Sequence, residues 1–149
     1  MTTTAASLDI AASPDLVFAA ISDLEQMGRF SPENTGGEWL GGARGPGLGV
    51  KFRGANANGG KTWTTTATIT EFAPPTKFAF EVTVGPVKVS RWSFELEPSP
   101  IGTRITETWL DRRPWLVRRF YSSPVADREA FTVASIATTL ERLKAHLEA

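Results

Sequence analysis

From Gly36 to Asp111 the chain alternates between short β-rich runs and turn residues, and this punctuation limits what it can fold into. The runs are "GEWLGG", "LGVKFRG", "KTWTTTATITEF", "KFAFEVTV", "VKVSRWSFELEP" and "GTRITETWLD". Their Thr, Val, Ile, Phe and Trp side chains suit a pleated, half-buried surface. The connections "APPT", "GP" and "PSPIG" are too short to carry a crossover, so neighbouring strands are expected to pair antiparallel as a six-strand meander.

Helical spacing brackets this region. Ser7 to Ala11 reads as a short strand. Ser13 then stands as an N-cap, with Pro14 at the first helical position and Asp15 where its charge complements the helix dipole. Val17, Ala20, Ile21 and Leu24 form one apolar stripe, and Asp23 either ends this helix or caps a second short one through Gly28. At the other end, Ser123 and Pro124 read as a helix start. Ile136, Leu140, Leu143 and Leu147, widened by Val133 and Ala137, predict a long amphipathic helix from about Val125 onward. Its apolar stripe needs a partner, and the one large surface available is the concave face of a curved sheet of six or seven strands. The expected class is α+β.

The 149 residues fit one domain, 1–149, large enough to bury roughly 70% of the extended chain's surface and to enclose a cavity. Sixteen basic side chains balance sixteen acidic ones, so a nucleic-acid partner is not expected. No apolar run approaches the roughly 18 residues of a membrane span, and "MTTTAASLDI" lacks a basic start and an apolar signal core, so a cytoplasmic location is expected. The chain has no cysteine, and His146 is its one histidine. Thiolate chemistry is thereby excluded, and neither a His-based zinc site nor a Ser-His-Asp triad is expected; no metal or cofactor is called for.

Three stretches carry a resemblance. "IAASPDLVFAAISDLEQMGRFSPE" gives an apolar strand, a Ser-Pro helix, an Asp and the exit Phe30-Ser31-Pro32. "TWTTTATITEFAPPTKFAFEV" contains the Pro74-Pro75 turn, and "RWSFELEPSPIGTRITETW" the Gly102-Thr103 start of the last strand. With "GVKFRG" and the long final helix, their order resembles the START-like superfamily, also called SRPBCC. This is the helix-grip fold of the birch-pollen allergens and the bacterial polyketide cyclase/dehydrase proteins. The resemblance implies two short helices after the first strand and a deep cavity between sheet and final helix that takes a hydrophobic small molecule. It does not imply a reaction, since the superfamily includes carriers, receptors, cyclases and chaperone co-factors.

"GANANGGKTW", Gly54 to Trp63, mimics a relaxed phosphate-binding loop, with Ala55, four residues, then Gly60-Lys61-Thr62. A working loop opens a helix, whereas this one runs into a threonine-rich strand, so a hairpin turn is expected. "GGARGPGLG", Gly41 to Gly49, reads as a flexible hairpin at the cavity mouth. Trp39, Phe52, Trp63, Phe80, Trp92 and Trp109 are the expected aromatic contacts to a ligand, set against the alternative that they simply fill the core.

Across the "EPSPIGT" turn, Leu96, Phe94 and Trp92 are expected opposite Thr103, Ile105 and Glu107. Glu107, between Ile105 and Trp109 on one face, is therefore the candidate cavity carboxyl, able to move a proton if burial raises its pKa; a salt bridge or an exposed face is the other reading. Arg91 is a candidate partner, aligned with Val87 and Val89 before a change of phase at Trp92 that a bulge would explain. "RRPWLVRRFYSSP", Arg112 to Pro124, reads as a lid, with a membrane contact as the alternative; Tyr121 is expected at the entrance, orienting a ligand or assisting catalysis.

The leading expectation is a domain that binds a lipid, polyketide or similar molecule, as a monomer or homodimer. The alternatives are a cyclase/dehydratase-type enzyme using Glu107, Tyr121 and Arg91, and a protein-interaction module.

Overall fold

The computed structural model describes residues 2–120, 125 and 127–149. Strand β1 (Thr3–Ile10) leads into helix α1 (Pro14–Ser22), a 3-10 helix (Leu24–Arg29), and strands β2 (Asn34–Trp39), β3 (Lys51–Asn58), β4 (Lys61–Ala73), β5 (Lys77–Val84), β6 (Val87–Ser99) and β7 (Gly102–Asp111). Helices α2 (Trp115–Phe120) and α3 (Arg128–Glu148) follow. The strands form one seven-stranded sheet in the order β1-β7-β6-β5-β4-β3-β2, every neighbouring pair antiparallel. The meander is thus as expected, and β1 joins it by pairing with the last strand.

Local chemistry sets the joints. The Ser13 hydroxyl accepts from the Leu16 amide at 3.4 Å, and Pro14 needs no donor where it sits. Between β3 and β4, Gly59 and Gly60 both have positive φ, 57° and 82°, as a two-residue hairpin turn requires. The turn therefore occupies these two glycines alone, and Ala55 to Asn58 extend β3. At Gly102, with φ 149°, an added Cβ would come within 2.6 Å of the Ile10 carbonyl oxygen and 2.7 Å of the Ala12 one. Only a bare backbone lets the β6–β7 turn approach the β1–α1 connection so closely.

The β6–β7 register differs from expectation by two residues: Leu96 faces Ile105, Phe94 faces Glu107 and Trp92 faces Trp109. The reversal is tighter than "EPSPIGT" implied, with Ser99 already paired to Gly102. A two-residue slip keeps every side chain on its face, so the assignment of Glu107 to the inner face is unaffected. The β6 irregularity lies at Val89: Val82 pairs with Ser90 and Thr83 with Lys88, leaving Val89 as the extra residue, three positions before the expected phase change at Trp92.

The core lies on the concave face. Phe18 of α1 meets Phe72 and Phe78 edge-on at centroid distances of 5.5 and 6.2 Å, and α3 buries Ile136, Leu140 and Leu143. The end of α3 is tied to β1 and its exit, where Lys144 Nζ donates to the Asp9 carbonyl at 2.9 Å and the Ala11 amide to Glu148 at 2.8 Å.

Three expectations need correction. Strand β1 runs from Thr3, longer than Ser7 to Ala11, because β7 offers hydrogen-bonding partners along its whole length. Helix α3 begins at Arg128 with Asp127 as its cap, accepting from the Ala130 amide at 3.3 Å, and not near Val125; Ser123 and Pro124 lie outside the described residues. Val133 and Ala137 face solvent, and the buried face passes instead through Thr132, Ser135 and Thr139. Leu140→Ala should therefore cost about 2–5 kcal/mol in denaturant unfolding, while Val133→Ala should stay within about 0.5 kcal/mol of the parent.

Candidate functional site

Period-two alternation on five strands directs side chains into a cavity of about 620 Å³ under α3. Phe52 and Asn56 enter from β3, Trp63, Thr65 and Ala67 from β4, and Phe80 and Val82 from β5. Glu107 and Trp109 enter from β7. On β6 the bulge lets Val87 and Val89 line the cavity and then returns Ser90, Trp92 and Phe94 to the same face. Leu24 and Met27 of the 3-10 helix close one side, Val117 of α2 another, and Arg128, Ser135 and Thr139 of α3 form the cover.

The wall is mainly apolar, and its polar members are mostly committed. Arg113 holds Asp111 in a fork, Nε to Oδ1 at 2.9 Å and the guanidinium NH2 to Oδ2 at 2.7 Å. Burial pushes the Asp111 carboxyl up, but the Arg113 hydrogen bonds more than offset this and hold it below the usual range. Arg128 meets Glu33 at 2.8 Å, an ion pair without an aligned hydrogen bond to Glu33 Oε2. The Asn56 amide donates to the Thr65 hydroxyl at 3.2 Å.

Glu107 is the exception. Its residue exposure is 3%, it sits opposite Phe94 and Ala6 in the sheet, and its Oε1 has no hydrogen-bond partner among the described residues. Desolvation pushes its pKa from 4.5 up to about 8, so the carboxyl is mostly protonated at neutral pH. It can therefore donate one hydrogen bond to an occupant of the cavity, or ionise if the occupant supplies positive charge.

Of the residues singled out in the sequence, Phe52, Trp63, Phe80, Trp92, Trp109 and Glu107 share this wall. Trp39 does not line it: it ends the edge strand β2, of which only Asn34 at the other end reaches the cavity, and it packs edge-on against Phe52 at 5.1 Å. Arg91 is not a partner of Glu107, because the phase returns at Ser90, before it; it faces outward and binds Glu71 at 2.9 Å. None of residues 41–49 lines the cavity, so the glycine loop is not its mouth. Tyr121 lies outside the described residues, and Trp115, before α3, is 71% exposed. The sequence reading missed Arg113, the Glu33–Arg128 pair and the hydroxyls of α3. Thr132, Ser135 and Thr139 do carry a signal, a hydroxyl stripe at helical spacing beside Ile136 and Leu140.

A family model described as "Polyketide cyclase / dehydrase and lipid transport" matches residues 1–148. The chain belongs to this family. Its fold recurs in the Polyketide_cyc-like protein Cgl2372 from Corynebacterium glutamicum, with 28% identity, TM-score 0.60 and coverage of 98% of this chain and 91% of that one. Ginseng major latex-like protein 151 from Panax ginseng is 10% identical with TM-score 0.73, covering 98% and 97%. The Aha1 dimer from Colwellia psychrerythraea is 18% identical with TM-score 0.68, covering 99% and 97%. Comparison with curated protein sequences yields no match. Among the described residues of this polyketide cyclase/dehydrase and lipid transport family member, no helix is long and apolar enough to cross a membrane.

Because the Glu107 carboxyl titrates higher when folded, its contribution to stability is complete below pH 4.5 and is lost as pH rises through about 8. The parent should lose about 4 kcal/mol relative to Glu107→Gln between pH 5 and 9, read from paired denaturant unfolding curves. A constant difference between the two proteins would show that the carboxyl is solvated.

Proposed function

We propose that this protein binds a hydrophobic small molecule, such as a lipid or polyketide, between the sheet and α3. The observation that carries this reading is the cavity itself: about 620 Å³, walled by Trp63, Phe80, Trp92, Phe94 and Trp109, with few polar groups converging on it. Such a space removes most of a ligand's surface from water, and the driving force scales with the apolar area covered. Glu107 supplies a directional contact within that wall.

Binding is favoured over turnover of the cyclase/dehydratase kind. Proton-transfer chemistry of that kind calls for a second group within reach of Glu107, and none hydrogen-bonds it among the described residues. An interaction module is supported less, since the exposed apolar side chains are dispersed: Leu16 lies on α1, Leu48 in the β2–β3 loop, Ile101 in the β6–β7 turn, and Trp115 and Leu116 on α2.

The neutral fluorophore N-phenyl-1-naphthylamine should bind at one site per chain and quench tryptophan emission. Ala67→Phe, which projects a ring into the cavity from β4, should weaken that binding at least tenfold, while Trp115→Ser should leave it unchanged. The opposite pattern would place the probe on the surface and remove the basis for the cavity reading.

A further inference from the structure

The geometry points to a ligand class: we propose that the cavity takes a hydrophobic organic amine, whose ammonium group sits against the Glu107 carboxylate beside Trp92 and Trp109. This rests on the ligand-binding reading above and assigns the charge of the ligand.

The argument begins with the charged groups around the cavity. Among the described residues, four side chains of the wall can carry charge: Glu33, Glu107, Arg113 and Arg128. Arg113 is neutralised by Asp111 and Arg128 by Glu33, so each cation already faces a carboxylate of the protein. Glu107 has no such counterpart among the described residues. Its neighbours in the sheet are Phe94 and Trp92 of β6, Ala6 of β1, and Ile105 and Trp109 of its own strand, and none of them ionises. The α3 residues of the cavity cover beyond Arg128, Ser135 and Thr139, are uncharged, and His146 lies at the far end of that helix against Phe30. An anionic ligand would therefore find both arginines occupied and an acid in its path. A neutral one would leave the carboxyl protonated and use a single hydrogen bond.

A cation completes the set. It converts Glu107 from an isolated buried acid into an ion pair, and charge in this wall then balances pair by pair. The aromatic neighbours favour the same occupant. Trp92 and Trp109 are direct cross-strand partners, with ring centroids 6.4 Å apart and planes tilted by 49°, and both line the cavity. One cation can lie within about 6 Å of both ring centres, the range over which an indole face attracts positive charge. Trp109 follows Glu107 at the next inward position, and Trp92 is its diagonal cross-strand neighbour, so the carboxyl and both rings meet in one corner of the cavity. The rest of the apolar wall would take the hydrocarbon part of the amine.

Proton balance makes this testable. At pH 6.5 the empty cavity holds Glu107 as the acid, and a primary alkylamine in solution is an ammonium, as a lysine side chain is. Forming the ammonium–carboxylate pair then sends the Glu107 proton to solvent, about one per ligand bound. Affinity for the amine should rise up to tenfold per pH unit from pH 6 to about 8 and then level off, whereas a neutral hydrogen-bonding ligand should bind no better as pH rises and worse above about 8.

The experiment compares 2-naphthylmethylamine with 2-naphthylmethanol by titration calorimetry at several pH values, in buffers of different ionisation enthalpy. At pH 8 the parent protein should bind the amine at least tenfold tighter than the alcohol, and at pH 6.5 it should release about one proton with the amine. Glu107→Gln should lose both the preference and the proton release while still binding N-phenyl-1-naphthylamine, which shows that the cavity is intact. Equal affinity for amine and alcohol, or amine binding without proton release, overturns the amine assignment and leaves the cavity reading standing. Failure of all three probes to bind the parent overturns the cavity reading and this inference with it.

Discussion

A curved sheet of seven strands presents more concave surface than one helix can cover, and the cavity follows from that mismatch. The C-terminal half of α3 buries Leu140 and Leu143 in the core and is tied to β1 and its exit, with Lys144 on the Asp9 carbonyl and Glu148 on the Ala11 amide. Its N-terminal half turns Arg128, Ser135 and Thr139 toward open space. Hydroxyls there match the position, because a side chain facing a void or a ligand gains nothing from close apolar packing and keeps the option of a hydrogen bond. The same helix thus closes a core at one end and roofs the cavity at the other.

Inside that space the distribution of charge is unequal. Asp111–Arg113 and Glu33–Arg128 tie wall elements together: the first joins the end of β7 to the segment before α2, the second joins the start of α3 to the residue just ahead of β2. Each pair is largely removed from water, where an unpaired member would be costly. Among the described charged residues of the wall, Glu107 is the one without an ion-pair partner, and its raised pKa reflects how poorly its surroundings tolerate its charge.

The inner-face membership of Phe52, Phe80, Trp92, Glu107 and Trp109 was legible from alternation alone, and it survived a two-residue error in the β6–β7 register because the period of a strand is two. Arg91 was misplaced for the same reason in reverse. A single extra residue at Val89 changes the phase, and neither its position nor its consequence follows from composition. Trp39 failed differently: its face was as expected, but the cavity meets the edge strand only at Asn34, at the other end of β2.

The sequence by itself determined the order of elements, the antiparallel meander, the Ser13 cap, the Gly59-Gly60 turn and the shared face of Ile105, Glu107 and Trp109. All of these depend on contacts within a few residues or on a fixed local period. Only the tertiary structure decided that β1 lies beside β7, that Arg113 and Arg128 are already paired, that Glu107 is buried on the cavity wall and that it has no hydrogen-bond partner among the described residues. Those outcomes depend on residues distant in the chain and on where the sheet and α3 part company, and no local rule contains that distance.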